Sequence, residues 1–326
     1  MNLSYTLRLL CLLTVVAGFV TAALQIILAL NARSLLRRLE AAGARRRERI
    51  LYLLQVAPLL LGLFVAGALC LPEYLLFEPT HETEPVGWIC LLLTAAVVLW
   101  FGSALLRGLR IALRTLRFTS ACRRSGRIVP HASSSLPVRA LVDPNPPVCL
   151  IGFLHPLVVV SADLLEAGGL NPGALDVALD HERAHAQHRD NWKLLSLCLL
   201  PRLHRRFGPS DCWQQHWQKA ADWAADDDAV RGDPARSFLL AETLVRAARS
   251  VRGSSSSIIC TALTSAETGL SARIDRLLRP PQVSRPVGAS LSFGLGAAAF
   301  LALGAAGIAF PWIYSLSEHI LHLGGF

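Results

Sequence analysis

The sequence predicts a mainly α membrane protein with four transmembrane helices and an α+β domain inserted between the third and the fourth. The chain of 326 residues is 53% hydrophobic and only 17% charged, whereas soluble proteins average about 25% charged residues. Four apolar runs contain no charged residue and reach the roughly 20 residues that a helix needs to cross a bilayer. They are residues 9–30, 50–71, 86–106 and 287–310. The first run is too long for a signal peptide, so we expect it to be retained as a span.

The distribution of arginine predicts how the spans are oriented. Segments 33–49 and 107–127 hold 14 of the 32 basic residues and two of the 23 acidic residues. Loop 72–85 contains four glutamates and no lysine or arginine. Because basic residues near span ends stay in the cytoplasm, we expect the inserted domain to be cytoplasmic and both termini to lie outside. Clustering of arginines at span borders argues against nucleic-acid binding, and spans without ionisable residues argue against a transporter.

The apolar runs divide the chain into three parts, and local patterns predict the strands and helices of the middle part. Residues 1–117 hold three spans, residues 118–286 form the inserted domain, and residues 287–326 hold the fourth span and a short outer tail. β-Branched runs interrupted by Pro and Gly predict strands at 138–142, 149–154 and 157–160. Asn171 and Pro172 predict the start of a helix that continues through Trp192. Further helices are expected at 213–230, 234–250 and 266–278.

The first of these helices carries the motif His181-Glu-Arg-Ala-His185. Histidines at positions i and i+4 lie on one face of a helix, so both imidazoles can reach one zinc ion. The intervening Glu182 is placed to act as a general base toward water at such a metal. The alternative interpretation is an amphipathic surface helix with two solvated histidines.

A third protein ligand is expected on the following acidic helix. Asp222 and Asp226 are four residues apart and share a face with small alanines that allow close packing. Asp222 is then a ligand, and Asp226 is the carboxylate that orients a ligating histidine. Glu242 is the alternative third ligand, and a solvated acidic helix is the alternative to any site. His188 is about 10.5 Å along the axis from His181, too far to share a metal easily.

These features together resemble the BlaR/MecR-type membrane metallopeptidases, bacterial sensor-transducers with a gluzincin zinc domain between the third and fourth of four spans. The resemblance rests on the four-span plan, Ile151-Gly-Phe-Leu-His-Pro-Leu-Val-Val-Val-Ser161, the histidine motif with the following Arg189-Asp190, the acidic helix, and Arg273-Ile-Asp-Arg-Leu-Leu278. In that family a glutamate four residues before an aspartate is the third ligand. Aligned on Asp226, this position is Asp222, one methylene shorter.

The resemblance implies a zincin-like metallopeptidase domain, a bacterial inner-membrane location, and a cytoplasmic substrate such as a transcriptional repressor. It also places Asp190 beside Asp226 among the residues that support the ligands. One departure concerns sensing. Only 16 residues follow the fourth apolar run, so we expect the extracellular penicillin-binding domain of the beta-lactam sensors to be lacking.

The predicted function is therefore zinc-dependent hydrolysis of a peptide bond. His181, His185 and Asp222 would hold Zn²⁺, and Glu182 would be the catalytic base. Strand 138–142 or strand 157–160 could align an extended substrate at a sheet edge. His204, His216 and Arg189 are unranked candidates for stabilising the oxyanion. The bilayer is one partner, and a homo-oligomer is left open.

Two other functions compete with this prediction. A catalytically silent zinc-binding signalling or scaffold protein is suggested by aspartate at the ligand position. A housekeeping membrane protease of the heat-shock type would use the same zinc chemistry on many damaged proteins. The breadth of substrates separates that protease from one that cleaves a single regulator.

Overall fold

The computed structural model describes residues 5–77, 86–130, 136–142, 144, 147–166, 170–203, 210–250, 260–262 and 267–279. Within them the protein is mainly helical, and three helices are long and apolar enough to cross a membrane. Helix α1 spans Tyr5–Leu30, and the short α2 spans Ala32–Glu40. The second long helix is composed of α3 (Ala44–Phe64), a π-helical segment (Val65–Cys70) and α4 (Leu71–Phe77). The predicted fourth span, 287–310, lies outside the described residues.

The first two spans pack closely because small residues face each other. A Cβ atom added to Gly62 would clash with Thr21 Oγ1 and would lie 2.6 Å from the carbonyl oxygen of Ala17. Thr21 Oγ1 also donates a hydrogen bond of 3.3 Å to the carbonyl oxygen of Pro58. Without a hydrophobic force between helices in lipid, such close backbone approach is what holds spans together.

The third span continues directly into the inserted domain. Helix α5 spans Trp88–Ser125, so it extends well beyond the apolar run and includes the predicted domain boundary at residue 117. It ends at Gly126, whose backbone N–H bonds to the Cys122 carbonyl oxygen at 2.9 Å. The first strand begins at the next residue, so no flexible linker separates the span from the domain.

The domain contains a small mixed sheet in the order β1-β2-β4-β3-β5. Its strands are β1 (Arg127–Ile128), β2 (Val138–Leu141), β3 (Val148–Ile151), β4 (Leu157–Ser161) and β5 (Cys260–Ala262). Strands β2 and β4 are parallel, and the other pairs are antiparallel. Both strands predicted to receive a substrate at an edge are interior, since β2 lies between β1 and β4, and β4 between β2 and β3. That prediction is wrong; among the described strands the edges are β1 and β5.

Five further helices complete the described part of the domain after the single-turn α6 (Ala162–Leu165). They are α7 (Pro172–Gln187), α8 (Asp190–Leu199), α9 (Ser210–Val230), α10 (Pro234–Ser250) and α11 (Glu267–Leu278). The predicted continuation of the first helix through Trp192 is wrong. The helix ends at Gln187 with His188 as its C-cap, and Arg189 adopts the left-handed conformation with φ 56° and ψ 38°. The chain therefore changes direction before Asp190.

Two buried clusters position the domain's helices. One packs β3 and β4 against α7 and α10 and includes Leu150, Val158, Val177 and Leu244. The other joins α2 and α3 to α8 and α9 and contains Leu39, Leu51, Leu197 and Trp217. The arginine-rich segment after the first span thus lies against the inserted domain.

Candidate metal centre

Helix α7 carries both histidines of the motif into the interior. Its first turn is capped by Asn171, whose Oδ1 accepts a hydrogen bond of 2.7 Å from the Ala174 N–H, and Pro172 occupies the first turn, where its missing N–H costs nothing. His181 and His185 are both fully buried. The interpretation of two solvated surface histidines is therefore wrong.

Helix α9 brings two carboxylates to the same place. Helix α9 contacts α7, and it is lined by small buried side chains that allow close approach of its neighbours: Ala220, Ala221, Ala224 and Ala225. Asp222 is 7% exposed and Asp226 is fully buried. The acidic helix is therefore not a solvated one on this face.

One nitrogen of each histidine and one oxygen of Asp222 form a compact cluster. The Nε2 atoms of His181 and His185 are 3.2 Å apart, and Asp222 Oδ1 is 3.6 Å from His185 Nε2. All three atoms lie within 4.8 Å of one another. Tetrahedral zinc with bonds of about 2.0–2.1 Å holds its ligand atoms about 3.3 Å apart. The cluster therefore fits a metal ion of this size.

The other nitrogen of each ring faces a carboxylate. Asp190 Oδ2 accepts a hydrogen bond of 2.8 Å from His185 Nδ1. Asp226 Oδ1 lies 3.0 Å from His181 Nδ1, although this contact is poorly directed for a hydrogen bond. Carboxylates at Nδ1 favour the tautomer that leaves Nε2 unprotonated. The Nε2 lone pairs of His181 and His185 then face each other across 3.2 Å, an arrangement that a shared cation stabilises.

Asp226 is itself held by a buried arginine on α11. Arg273, 2% exposed, donates hydrogen bonds of 2.9 Å and 2.6 Å to the two oxygens of Asp226. Burial alone would raise the pKa of Asp226, but the Arg273 charge and the His181 contact hold it well below its usual range. The carboxylate therefore stays ionised and keeps its orientation toward His181.

The pKa values of the two histidines are shifted in opposite directions. Burial lowers the pKa of His181 to about 4 against the opposing influence of Asp226, so this ring is neutral near pH 7, as a metal ligand must be. Burial also acts to lower the pKa of His185, but the hydrogen bond and charge of Asp190 outweigh it and raise the pKa.

Glu182 lies between the histidines on α7 and is fully buried. Burial raises the pKa of its carboxyl to about 7, against the opposing influence of His185 and the Leu150 backbone. Neither carboxylate oxygen makes a well-formed hydrogen bond within the described residues. A buried carboxylate without such a partner is a typical feature of a reactive group.

The other candidate residues lie elsewhere. Glu242 pairs with Arg246 one turn along α10, with an oxygen–nitrogen distance of 2.9 Å, so it is not at the cluster. His188 Nε2 lies 3.1 Å from Asp228 Oδ2. The separation of His188 from the cluster agrees with the spacing argument.

Two of the three candidates for oxyanion stabilisation lie within the described residues. His216 Nδ1 is 3.4 Å from Arg47 Nη2, and His204 lies outside the described residues. Arg189 is exposed and lines a cleft of about 290 Å³ beside His185. Phe153, Leu154 and Trp192 line the same cleft. Arg189 is thus the candidate that the structure brings near a proposed ligand.

Sequence reasoning missed the roles of three charged residues. Arg273 was noted only as part of a resemblance, and Glu48 and Lys193 were given no role at the site. Arg273 is followed by Ile274 and Leu277, which are three residues apart and form an apolar face of α11. Both pack on the core cluster beside α7 and α10, and this apolar face was the sequence signal that the adjacent arginine lies near the interior. The signal of Glu48 was its position as one of two acids in a segment of seven arginines.

Comparison with known proteins gives no assignment. No protein-family model matches the chain, and no curated protein matches it. The resemblance to the BlaR/MecR-type metallopeptidases therefore stays a prediction from the sequence motifs. What the geometry itself provides is a membrane protein with a buried His-His-Asp cluster able to hold a metal ion.

Proposed function

We propose that this chain is an integral-membrane zinc endopeptidase that hydrolyses a peptide bond of a cytoplasmic regulatory protein. The observation that carries the proposal is the buried cluster of His181, His185 and Asp222 with the fully buried Glu182 beside it. Two histidines and a carboxylate are a ligand set of catalytic zinc sites, which keep a fourth position open. Bound zinc would supply a Lewis acid that polarises a peptide carbonyl and acidifies water.

The protein's own groups would then perform the proton transfers. Glu182 takes the proton of the attacking water and passes it to the leaving amine, which is the work of a general base and then a general acid. Asp190 holds the His185 imidazole by Nδ1, and Asp226 lies 3.0 Å from His181 Nδ1. Both carboxylates thus leave Nε2 of each ring free to bind a metal. The cleft beside His185 receives a substrate side chain, and its lining of Phe153 and Trp192 favours an apolar one.

Contacts between the arginine-rich segment and the domain support a cytoplasmic active site. Arg45 on α3 pairs with Asp228 on α9, and Lys193 Nζ on α8 lies 2.9 Å from Glu48 Oε1 on α3. The domain and segment 33–49 therefore lie on the same side of the spans. By the positive-inside rule this side is the cytoplasm. The resemblance supplies the further suggestion that the substrate is a transcriptional repressor.

The test is a comparison of protein N-termini in cells that carry the wild type, Glu182→Gln or Glu242→Gln. Glu242 is a matched control because it lies on the neighbouring helix and pairs with Arg246. We expect new N-termini with the wild type and the control, and a loss of about 10²–10⁴-fold in Glu182→Gln with zinc content retained. Wild-type cleavage by Glu182→Gln would overturn the mechanism.

A catalytically silent zinc protein is the second candidate, and the shorter carboxylate at position 222 favours it. Asp222 Oδ1 is 3.6 Å from His185 Nε2, longer than the roughly 3.3 Å expected between zinc ligands. One zinc per chain with no new N-terminus would support this candidate, particularly if Asp222→Glu gained cleavage. Many cleaved membrane proteins instead of one regulator would indicate a housekeeping protease.

A further inference from the structure

A buried acid connects the second span to the inserted domain. Glu48 lies near the start of α3, in the arginine-rich segment, and is fully buried. An ionised carboxylate is costly to bury unless cationic and hydrogen-bonding partners surround it. The partners of Glu48 therefore show what the residue holds together.

Those partners come from two helices of the domain. Glu48 Oε1 accepts a hydrogen bond of 2.9 Å from Lys193 Nζ on α8 and one of 3.1 Å from Trp217 Nε1 on α9. Arg45 Nη1 of the same helix is 3.9 Å from Glu48 Oε2. One carboxylate thus joins α3, α8 and α9 at a single point.

Lys193 continues the connection to a proposed metal ligand. Its ammonium donates a second hydrogen bond of 2.9 Å to Asp190 Oδ1. The other oxygen of Asp190 accepts the hydrogen bond of 2.8 Å from His185 Nδ1. An unbroken chain of four side chains, Glu48–Lys193–Asp190–His185, therefore runs from the base of the second span to the metal centre. We call it the relay chain.

We infer that Glu48 and Lys193 are positioning residues that fix the His185 imidazole relative to the second span. The inference rests on the proposed function only in taking His185 as a metal ligand. A carboxylate held by one oxygen can rotate about its side-chain axis, and Lys193 removes this freedom by holding Oδ1 of Asp190. Lys193 is a flexible side chain with three donors, and Glu48 in turn fixes its ammonium.

The relay chain gives the second span a mechanical connection to the site. At the opposite end of this span, the Tyr74 hydroxyl donates to the Tyr5 carbonyl oxygen at 3.3 Å, and the Tyr5 hydroxyl donates to the Tyr74 carbonyl oxygen at 3.4 Å. Between the two ends lies the π-helical segment, a feature that is frequent at functional positions. A displacement of α3 along its axis therefore changes the support of His185.

The test measures metal binding directly, so it does not depend on proteolysis. The full-length chain in detergent is titrated with Zn²⁺ and with Co²⁺, whose visible absorption reports the ligand geometry. The variants are Lys193→Met, Lys193→Arg and the double variant Glu48→Leu/Lys193→Met. Lys219→Met is the matched control, because this lysine on α9 lies 4.9 Å from the Trp223 ring and outside the relay chain.

The double variant separates positioning from stability. The double variant avoids leaving the buried Glu48 carboxylate without its cation. It still removes the hold on Asp190 and the hydrogen-bond acceptor of Trp217 Nε1. We expect a melting temperature above that of Lys193→Met, metal affinity about tenfold weaker than the wild type and an altered Co²⁺ spectrum. Lys193→Arg, which can bridge both carboxylates, and Lys219→Met keep wild-type affinity.

Metal affinity and a Co²⁺ spectrum unchanged in the double variant would overturn the inference, whatever the hydrolytic activity. If the wild type hydrolyses nothing and the double variant binds metal more weakly than the wild type, the inference is supported and the proposed peptidase function is wrong. A single variant, Lys193→Met, that unfolds while the double variant folds and binds normally would assign Lys193 to stability alone and also overturn the inference.

Discussion

Replacing Arg273 with methionine removes a guanidinium from the interior and leaves the Asp226 carboxylate without its cation. Arg273 is 2% exposed, Asp226 is fully buried, and both hydrogen bonds between them are shorter than 3.0 Å. Removing one member of such a pair costs about 3–5 kcal/mol of the free energy of unfolding, since the other charge stays buried and uncompensated. We therefore expect a large loss of stability from this single change.

Arg276 provides the matched control one turn along α11. It contacts Asp227, with side-chain exposures of 32% and 53%, and donates a hydrogen bond of 3.2 Å to the Trp223 carbonyl oxygen. The exposed ion pair contributes about 0–1 kcal/mol, so we expect a smaller loss than for Arg273→Met. Denaturation of both variants in detergent, followed by tryptophan fluorescence, gives the two losses. If Arg273→Met lowers the free energy of unfolding no more than Arg276→Met does, Arg273 and Asp226 do not form a stabilising buried pair.

A double variant separates the stabilising role of this pair from its role at the metal centre. In Arg273→Met/Asp226→Leu neither member of this pair stays buried without the other, so part of the stability should return. His181 has then lost the carboxylate at its Nδ1, which costs about 10–100-fold in metal affinity. Recovery of both stability and zinc affinity would show that Asp226 does not orient the ligand.

Three further changes have expected outcomes. Gly62→Ala should lower the stability of the span bundle by about 1–3 kcal/mol through overpacking, whereas Gly102→Ala, whose Cβ meets no atom within 4 Å, should not; equal melting temperatures would contradict the packing. Asn171→Ala removes the cap of α7 and should cost about 1 kcal/mol in chemical denaturation, and no loss would contradict the capping hydrogen bond. Asp222→Asn should weaken zinc binding in an isothermal titration, whereas Asp222→Glu should preserve it; the reverse order would exclude position 222 as a ligand.

Local sequence patterns predicted those elements whose formation depends mainly on neighbouring residues in the chain. Uncharged apolar runs identified the three described spans, and α10 has the predicted bounds at Pro234 and Ser250. The cap at Asn171 began α7 where expected. Periodicity could not locate the end of this helix, because the left-handed Arg189 carries no glycine signal.

The site was predictable as far as the motif spacing determines it. Positions i and i+4 placed His181 and His185 on one face, and the alanines of α9 indicated that Asp222 could approach them. Which strand forms a sheet edge depends on pairing between distant segments, so the edge assignment was wrong. The relay chain was not predicted for the same reason, since Glu48 and Lys193 are 145 residues apart in the sequence.

In the proposed function, one zinc ion held by His181, His185 and Asp222 makes this chain a peptidase. The most direct measurement is a zinc titration of the purified full-length chain, stripped with a chelator, with cleavage of the substrate identified by its new N-terminus in cells as the readout. If the proposed function is right, activity is lost on stripping and returns in proportion to added zinc up to one ion per chain. Hydrolysis that survives stripping, or one tightly bound zinc with no hydrolysis, would contradict it.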